Sequence, residues 1–425
     1  MGNKSTIQQN RQELNSGRCL SPEQFLSSQV EDLTVLYLDL VLSSTLDDDS
    51  EALGIQLGKC QKLISLTLNL SKCTTSVYSA DKLTHKINQC IQLQCLNVQL
   101  NNCNLSEKAT LLLISNLSKL KKLTNLAISL NRNNINDTCA SLIGNWIENC
   151  RNLQSLYIFL QENQIEDKGV SDLGNAICKC EELNNLTLQL DFNKISDLGF
   201  KSLNNNLKSM RNLKKLTENF NYNKTISEFT EFESCQNSLN FESLETLTLQ
   251  YLKYSVFQIQ IDLAQCFNLI NLTINLRGQG VTTQAALYLG NSIGNCCQLT
   301  NLRLNLQESQ IDDYTVRDLT FGLGKCKNLT NLTLCLNHNN ITNQGAKFIG
   351  EGLSSLKCLK YLIINLYQNK VAKQGCYILV SCLKKCIQLI SLTIHNSINS
   401  QQADAKINLL SAIYRLKRLV KFYLY

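Results

Sequence analysis

The sequence predicts an α/β protein: an open, right-handed solenoid of about fourteen strand-turn-helix coils, bent into a horseshoe with its strands on the concave face. Three observations predict it. First, a common template, L-x-x-L/F-x-apolar, opens at Leu33, Leu63, Leu93, Leu123, Leu153, Leu183, Leu213, Leu244, Leu269, Leu299, Leu329, Leu359, Leu389 and Leu419, and all but two of the intervals equal that from Leu33 to Leu63. Second, apolar residues behind each opening leucine alternate at the period of a half-buried strand. Third, a turn signal and then helical spacing follow in the same order. A fixed period of this length means stacked supersecondary units, each too small to bury its own apolar face.

Residues 1–20 read as a flexible polar arm. Ser21-Pro22-Glu23 then starts a short helix, with an N-cap and a proline in the first turn, placed to cap the first coil. Residues 21–425 read as a single repeat domain. The coil opening at Leu123 shows the unit. Leu126, Ile128 and Leu130 alternate with Ala127 and Ser129, and Asn133-Asn134-Ile135 turns the chain. The same N-x-I/V turn recurs at Asn163, Asn193, Asn339 and Asn369. A buried turn leaves amides and carbonyls without ladder partners, and an asparagine side chain, donor and acceptor at once, satisfies both.

A helix-start signal follows, at Asp137, Asp167, Asp197, Thr283, Asp313 and Asn343, all read as N-caps. Behind it the apolar residues fall at helical spacing, as in Val170, Leu173, Ile177 and Cys180. Strands stack about 4.8 Å apart whereas packed helices need roughly 8–10 Å, so the array must curve. The register slips only between Leu213 and Leu269, where the step to Leu244 is slightly long and the step from Leu244 to Leu269 is short. That irregular stretch, about 217–262, holds Glu218, Glu228, Glu231, Glu233, Glu242 and Glu245. It also holds eight of the chain's 28 aromatics: Phe220, Tyr222, Phe229, Phe232, Phe241, Tyr251, Tyr254 and Phe257. The sequence stops inside the strand of the last coil, so the expectation is a partner on that edge or a longer protein.

On these motifs the chain resembles leucine-rich repeat proteins of the ribonuclease-inhibitor-like, long-repeat kind, over about Leu33 to Tyr425. The usual repeat reads L-x-x-L-x-L-x-x-N-x-L; here the strand is lengthened, giving L-x-x-L-x-L-x-L-x-x-N-x-I. That variant, with the asparagine-rich, proline-poor composition, is similar to leucine-rich repeat proteins abundant in ciliates. The resemblance implies a fold and says little of function. Some such relatives are labelled kinase-like, but this sequence has no H-R-D loop and no D-F-G, Asp191-Phe192-Asn193 being a strand end.

The formal net charge is +7, with the excess at helix ends rather than in one stripe. No apolar run reaches membrane-spanning length and no signal peptide is evident, which points to the cytoplasm. Eight of the 20 cysteines (Cys60, Cys90, Cys150, Cys180, Cys266, Cys296, Cys326, Cys386) share one slot just before an opening leucine, and Cys73 and Cys103 fill the turn slot of asparagine. Spacing of this kind makes cysteine a small buried hydrophobe. Neither a metal nor any cofactor is expected.

No carboxylate pair, Ser/His/Asp grouping or nucleophile elbow stands out, so an enzyme is not expected. Gly322-Leu323-Gly324-Lys325 lacks phosphate-loop spacing and sits at a predicted helix end. Nucleic acid is not expected either, since the best basic group, Arg415, Lys417, Arg418 and Lys421, reads as one more helix end and return loop. The expected function is a protein-protein interaction scaffold. The alternatives are a regulator of an enzyme such as a small GTPase, as some long-repeat relatives are, or the repeat portion of a larger signalling protein.

The outward strand positions are rich in Thr, Asn and Gln, which suits cross-strand ladders. The candidate partner-binding residues are the aromatic anchors Tyr157, Phe159 and Tyr367, their charged flanks Asp191, Arg277 and Arg303, and Glu231 and Glu233 of the irregular stretch. Finally, Met1-Gly2-Asn3-Lys4-Ser5-Thr6 matches M-G-x-x-x-S/T, which makes Gly2 a candidate for N-myristoylation. One acyl chain gives marginal binding, so the expectation is reversible, peripheral attachment to a membrane.

Overall fold

A computed structural model describes residues 18–41, 46–72, 77–223, 237–238, 242–251, 261–263, 266–396 and 418–424. The chain divides into two compact units, Met1–Leu207 and Lys208–Tyr425. Each is an α/β stack in which parallel strands pair in sequence order and helices form the second layer.

In the first unit the strands are Arg18–Leu20, Val35–Asp39, Ser65–Asn69, Cys95–Gln99, Asn125–Ser129, Ser155–Phe159 and Asn185–Gln189. The repeat period becomes the register: Leu36, Leu66, Leu96, Leu126, Leu156 and Leu186 stand opposite one another, and all are buried. The second unit runs Lys215–Asn219, Thr246–Gln250, Asn271–Asn275, Asn301–Asn305, Asn331–Cys335, Tyr361–Asn365, Ser391–His395 and Lys421–Leu424. Its four described helices are Thr283–Gly294, Asp313–Leu323, Asn343–Leu353 and Lys373–Leu383.

The turn asparagines form the expected spine. Asn163 donates from Nδ2 to the carbonyls of Leu130, Leu160 and Gln161, while its Oδ1 accepts from the amides of Asn133 and Ile135. Asn339 repeats the pattern on Leu306, Leu336, Asn337, Ser309 and Ile311. Each such side chain satisfies five backbone groups, across two coils, in a place largely closed to water. Where the slot holds another residue the link thins. Cys103 Sγ donates to the Leu70 carbonyl and Ser309 Oγ to the Leu276 carbonyl.

The thiols of the recurrent slot form a second spine. Those of Cys90, Cys180, Cys326 and Cys386 donate to the carbonyls of Leu57, Ile147, Ile293 and Leu353 in the coil before. Burial pushes these thiols up, Cys90 and Cys386 to about 11 and Cys180 and Cys326 to about 12, so they stay neutral donors.

Two expectations shift. Arg18–Leu20 is no part of a loose arm: it pairs in parallel with Leu36–Leu38, covering the edge of the first repeat strand. The Ser21 capping box and the fully buried Phe25 complete that cap. The helix starts also move back by a single position. The caps are Asn136, Thr282, Asp312 and Thr342, whose side chains accept from their own first turn. The acids of the first turn accept from the next coil instead: Asp137 from the Glu166 amide, Asp167 from Ser196 and Asp313 from Thr342, at 2.6–2.7 Å. A glycine lets them in. A Cβ on Gly169 would stand 2.9 Å from Asp137 Cα, closer than side chains pack.

Candidate functional site

Outward positions on three rows of each sheet form the strand face. In the first unit these rows run Val35-Ser65-Cys95-Asn125-Ser155-Asn185, Tyr37-Thr67-Asn97-Ala127-Tyr157-Thr187 and Asp39-Asn69-Gln99-Ser129-Phe159-Gln189. They carry one acid, Asp39, and no lysine or arginine. The face is closely packed. Thr67, Thr187 and Ser129 are buried, and the two expected anchors, Tyr157 and Phe159, are only partly exposed. Tyr157 is tied in place, its hydroxyl accepting from Asn185 Nδ2 at 2.8 Å. Asp191 is not the exposed flank that its charge suggested. It is 3% exposed and its carboxylate accepts from Gln161 Nε2 at 2.7 Å. Against the neighbouring coil, that amide compensates the water the carboxylate has lost.

The second unit shows a different face. Its rows are Lys215-Thr246-Asn271-Asn301-Asn331-Tyr361-Ser391-Lys421, Thr217-Thr248-Thr273-Arg303-Thr333-Ile363-Thr393-Tyr423 and Asn219-Gln250-Asn275-Asn305-Cys335-Asn365-His395. They hold three permanent cations and no acid. Toward the last strands three large side chains stand out of the sheet: Tyr361 at 48% exposure, Ile363 at 40% and Tyr423 at 45%. Tyr367 lies just past the strand end at 47%, edge-on to the His338 ring with centroids 6.0 Å apart. Arg303 is exposed and makes no ion pair among the described residues. Arg277 does not share that freedom. Its guanidinium bonds Glu308 at 2.9 Å across one coil.

The structure therefore gathers Arg303 and Tyr367 into the second unit's strand face. Tyr157, Phe159 and Asp191 belong to the packed ladder of the first. Tyr361, Ile363 and Tyr423 were missed as anchors. Tyr361 could have been found, because it interrupts a row otherwise made of asparagine, serine, threonine and lysine.

Glu231, Glu233 and Gly2 lie outside the described residues. What is described of the irregular stretch is mostly interior. Phe220 and Tyr251 are buried, Glu245 pairs with Lys214 at 3.4 Å, and Tyr222 is exposed. Glu218 is the surprise. It occupies the strand slot that every neighbouring coil fills with an aliphatic side chain, opposite Leu249, and it is fully buried. Tyr251 Oη donates to its Oε2 at 3.4 Å and its Oε1 has no partner among the described residues. Burial pushes this carboxyl up to about 8, only partly opposed by the tyrosine hydrogen bond, so the group is protonated at neutral pH. The L-x-x-L-x-apolar template thus fails in the coil that opens at Leu213.

Among the described residues no cluster of three or more His, Cys, Asp or Glu is arranged to hold a metal, and no helix is long and apolar enough to cross a membrane. No family model matches the chain, and no curated protein matches it. Among solved structures it is similar to the actin-binding site 2 of leiomodin-1, at 16% identity over 34% of this chain and 79% of that one, with a TM-score of 0.27. A score that low carries no argument about function. The repeated strand and helix on a parallel sheet is that of a leucine-rich-repeat-like solenoid.

Proposed function

We propose that this chain is a non-enzymatic protein-binding module of the ribonuclease-inhibitor-like, long-repeat kind, similar to those of ciliates, and that it docks its partner on the strand face of the second unit. One observation carries the reading: Tyr361, Ile363 and Tyr423 stand exposed on a sheet whose other outward positions are mostly half-buried polar ladders. Aromatic and aliphatic side chains held out of a rigid sheet cost little entropy on binding and supply most of the energy of an interface. The cysteines of the recurrent slot, buried free thiols that donate to carbonyls, suit a reducing compartment and support a cytoplasmic location.

The test is capture from a lysate of the native source with the full chain, with Ile363→Asn in the same background, and with Tyr157→Ser as a control on the other face. A partner retained by the wild type and the control, and depleted about tenfold by Ile363→Asn, is the expected result. A partner indifferent to Ile363→Asn would overturn the assignment of the face.

A further inference from the structure

We propose that the segment docked on the second unit's strand face is acidic and carries an aliphatic or aromatic residue between its carboxylates; this rests on the protein-binding reading above. The charge of the face is one-sided. Lys215, Arg303 and Lys421 are its permanent charges, all exposed and without an ion pair among the described residues. No aspartate or glutamate stands in the three outward rows of this face. The acid on the neighbouring turn, Glu308, is already held by Arg277 at 2.9 Å. An approaching carboxylate therefore meets attraction, with no acid in the described rows of the face to repel it.

Register fixes the spacing. Ile363 stands opposite Thr333 and Thr393, which stand opposite Arg303 and Tyr423. At roughly 4.8 Å per strand, Arg303 and Tyr423 each lie about 10 Å from Ile363 on opposite sides. Lys421 lies the same two strands from Tyr361, across Ser391. The pattern along the sheet is cation, apolar centre, aromatic and cation, over about 20 Å. An extended segment of about six residues covers that length. Arg303 and Lys421 sit singly, two strands to either side of the aliphatic centre. A nucleic acid would ask for a continuous basic stripe with stacking platforms. An acidic peptide with an apolar anchor asks for what is present.

The probe is a short fluorescein-labelled peptide of glutamates with a central phenylalanine and leucine, titrated against the full chain by anisotropy. Parallel arms carry glutamine for glutamate, lysine for glutamate, and labelled oligouridylate. The expected result is saturable binding of the acidic peptide, at least about tenfold tighter than the glutamine version and weakened by salt. The double charge reversal Arg303→Glu with Lys421→Glu, and separately Ile363→Asn, should each lower affinity about tenfold or more. Tyr157→Ser should leave it unchanged, and thermal melting should show all variants folded.

Equal binding of the glutamine peptide would overturn the acidic partner while leaving protein docking on this face standing. Tighter binding of oligouridylate, or indifference to both the charge reversal and Ile363→Asn, would overturn the inference. So would failure of the acidic peptide to bind at all.

Discussion

The two units are built on one spine and finished with two different faces. In each, turn asparagines bridge successive coils by the same five hydrogen bonds, as at Asn163 in the first unit and Asn339 in the second. In each, a buried thiol reaches the carbonyl of the coil before, as at Cys180 and Cys326. Outward from the sheet the likeness ends. Tyr157 in the first unit is partly covered and hydrogen-bonded to Asn185, whereas Tyr361 in the second is nearly half exposed. The repeat specifies what holds the coils together and leaves the outward rows free to differ. Function is therefore to be sought where the units diverge.

The spine should be equally costly to break in both. Asn163→Leu and Asn339→Leu each remove a side chain that satisfies three carbonyls and two amides, all buried but the part-buried Gln161 carbonyl. At about 1–3 kcal/mol per buried polar group left bare, partly relieved by relaxation, each should lose on the order of 3–5 kcal/mol. Denaturant melts of the full chain, followed by hydrogen exchange at the neighbouring turns, would check this. A large loss from one and none from the other would mean that the units do not share a common source of stability.

A second contrast lies in buried carboxyls. The first unit holds Asp197, pushed up to about 6 by burial and then by the charge of Asp167. The second holds Glu218, at about 8 against an ordinary value of 4.5. Between those last two pH values the folded chain keeps a proton that the unfolded chain has released, so raising the pH favours unfolding. The stability of the second unit should fall from about pH 4.5 to about pH 8 and then level off, by at most about 1.4 kcal/mol per pH unit. Glu218→Leu, which restores the residue type of the neighbouring coils, should flatten that part of the profile and raise the melting temperature at pH 8. A profile that the substitution leaves unchanged would mean the carboxyl is not the titrating group.

Much of this molecule is legible in its sequence, and the illegible parts have physical reasons. The constant step between opening leucines became a constant strand register because parallel strands in stacked coils have no other way to align their leucines. The asparagine spine was legible because a buried turn needs a donor and an acceptor at one position. The helix caps moved back a position because Asp137, Asp167 and Asp313 serve the next coil, a contact invisible in any single repeat. Glu218 was missed: it could have been read as a single acid in an apolar slot, but its neighbourhood of glutamates made it look like surface. Exposure of the face was the hardest to read. It depends on what stands a full repeat away on either side, so residue type alone marked Tyr157 and passed over Tyr361.

The smallest expected effect separates the two tyrosines most cleanly. The Tyr157 hydroxyl accepts from Asn185 Nδ2 at 2.8 Å on a partly buried face. Removing it as Tyr157→Phe leaves that amide short of a partner and should cost about 1 kcal/mol. Tyr361 is 48% exposed, and water can take the place of its hydroxyl, so Tyr361→Phe should change stability by less than about 0.5 kcal/mol. Its ring remains, so binding of the acidic peptide should also persist, while Tyr361→Ser should weaken it. The four results together distinguish a tyrosine that holds a ladder from one that holds a partner. If Tyr157→Phe proves silent and Tyr361→Phe destabilises, the first unit's face is the freer of the two and the roles assigned to the faces must be exchanged.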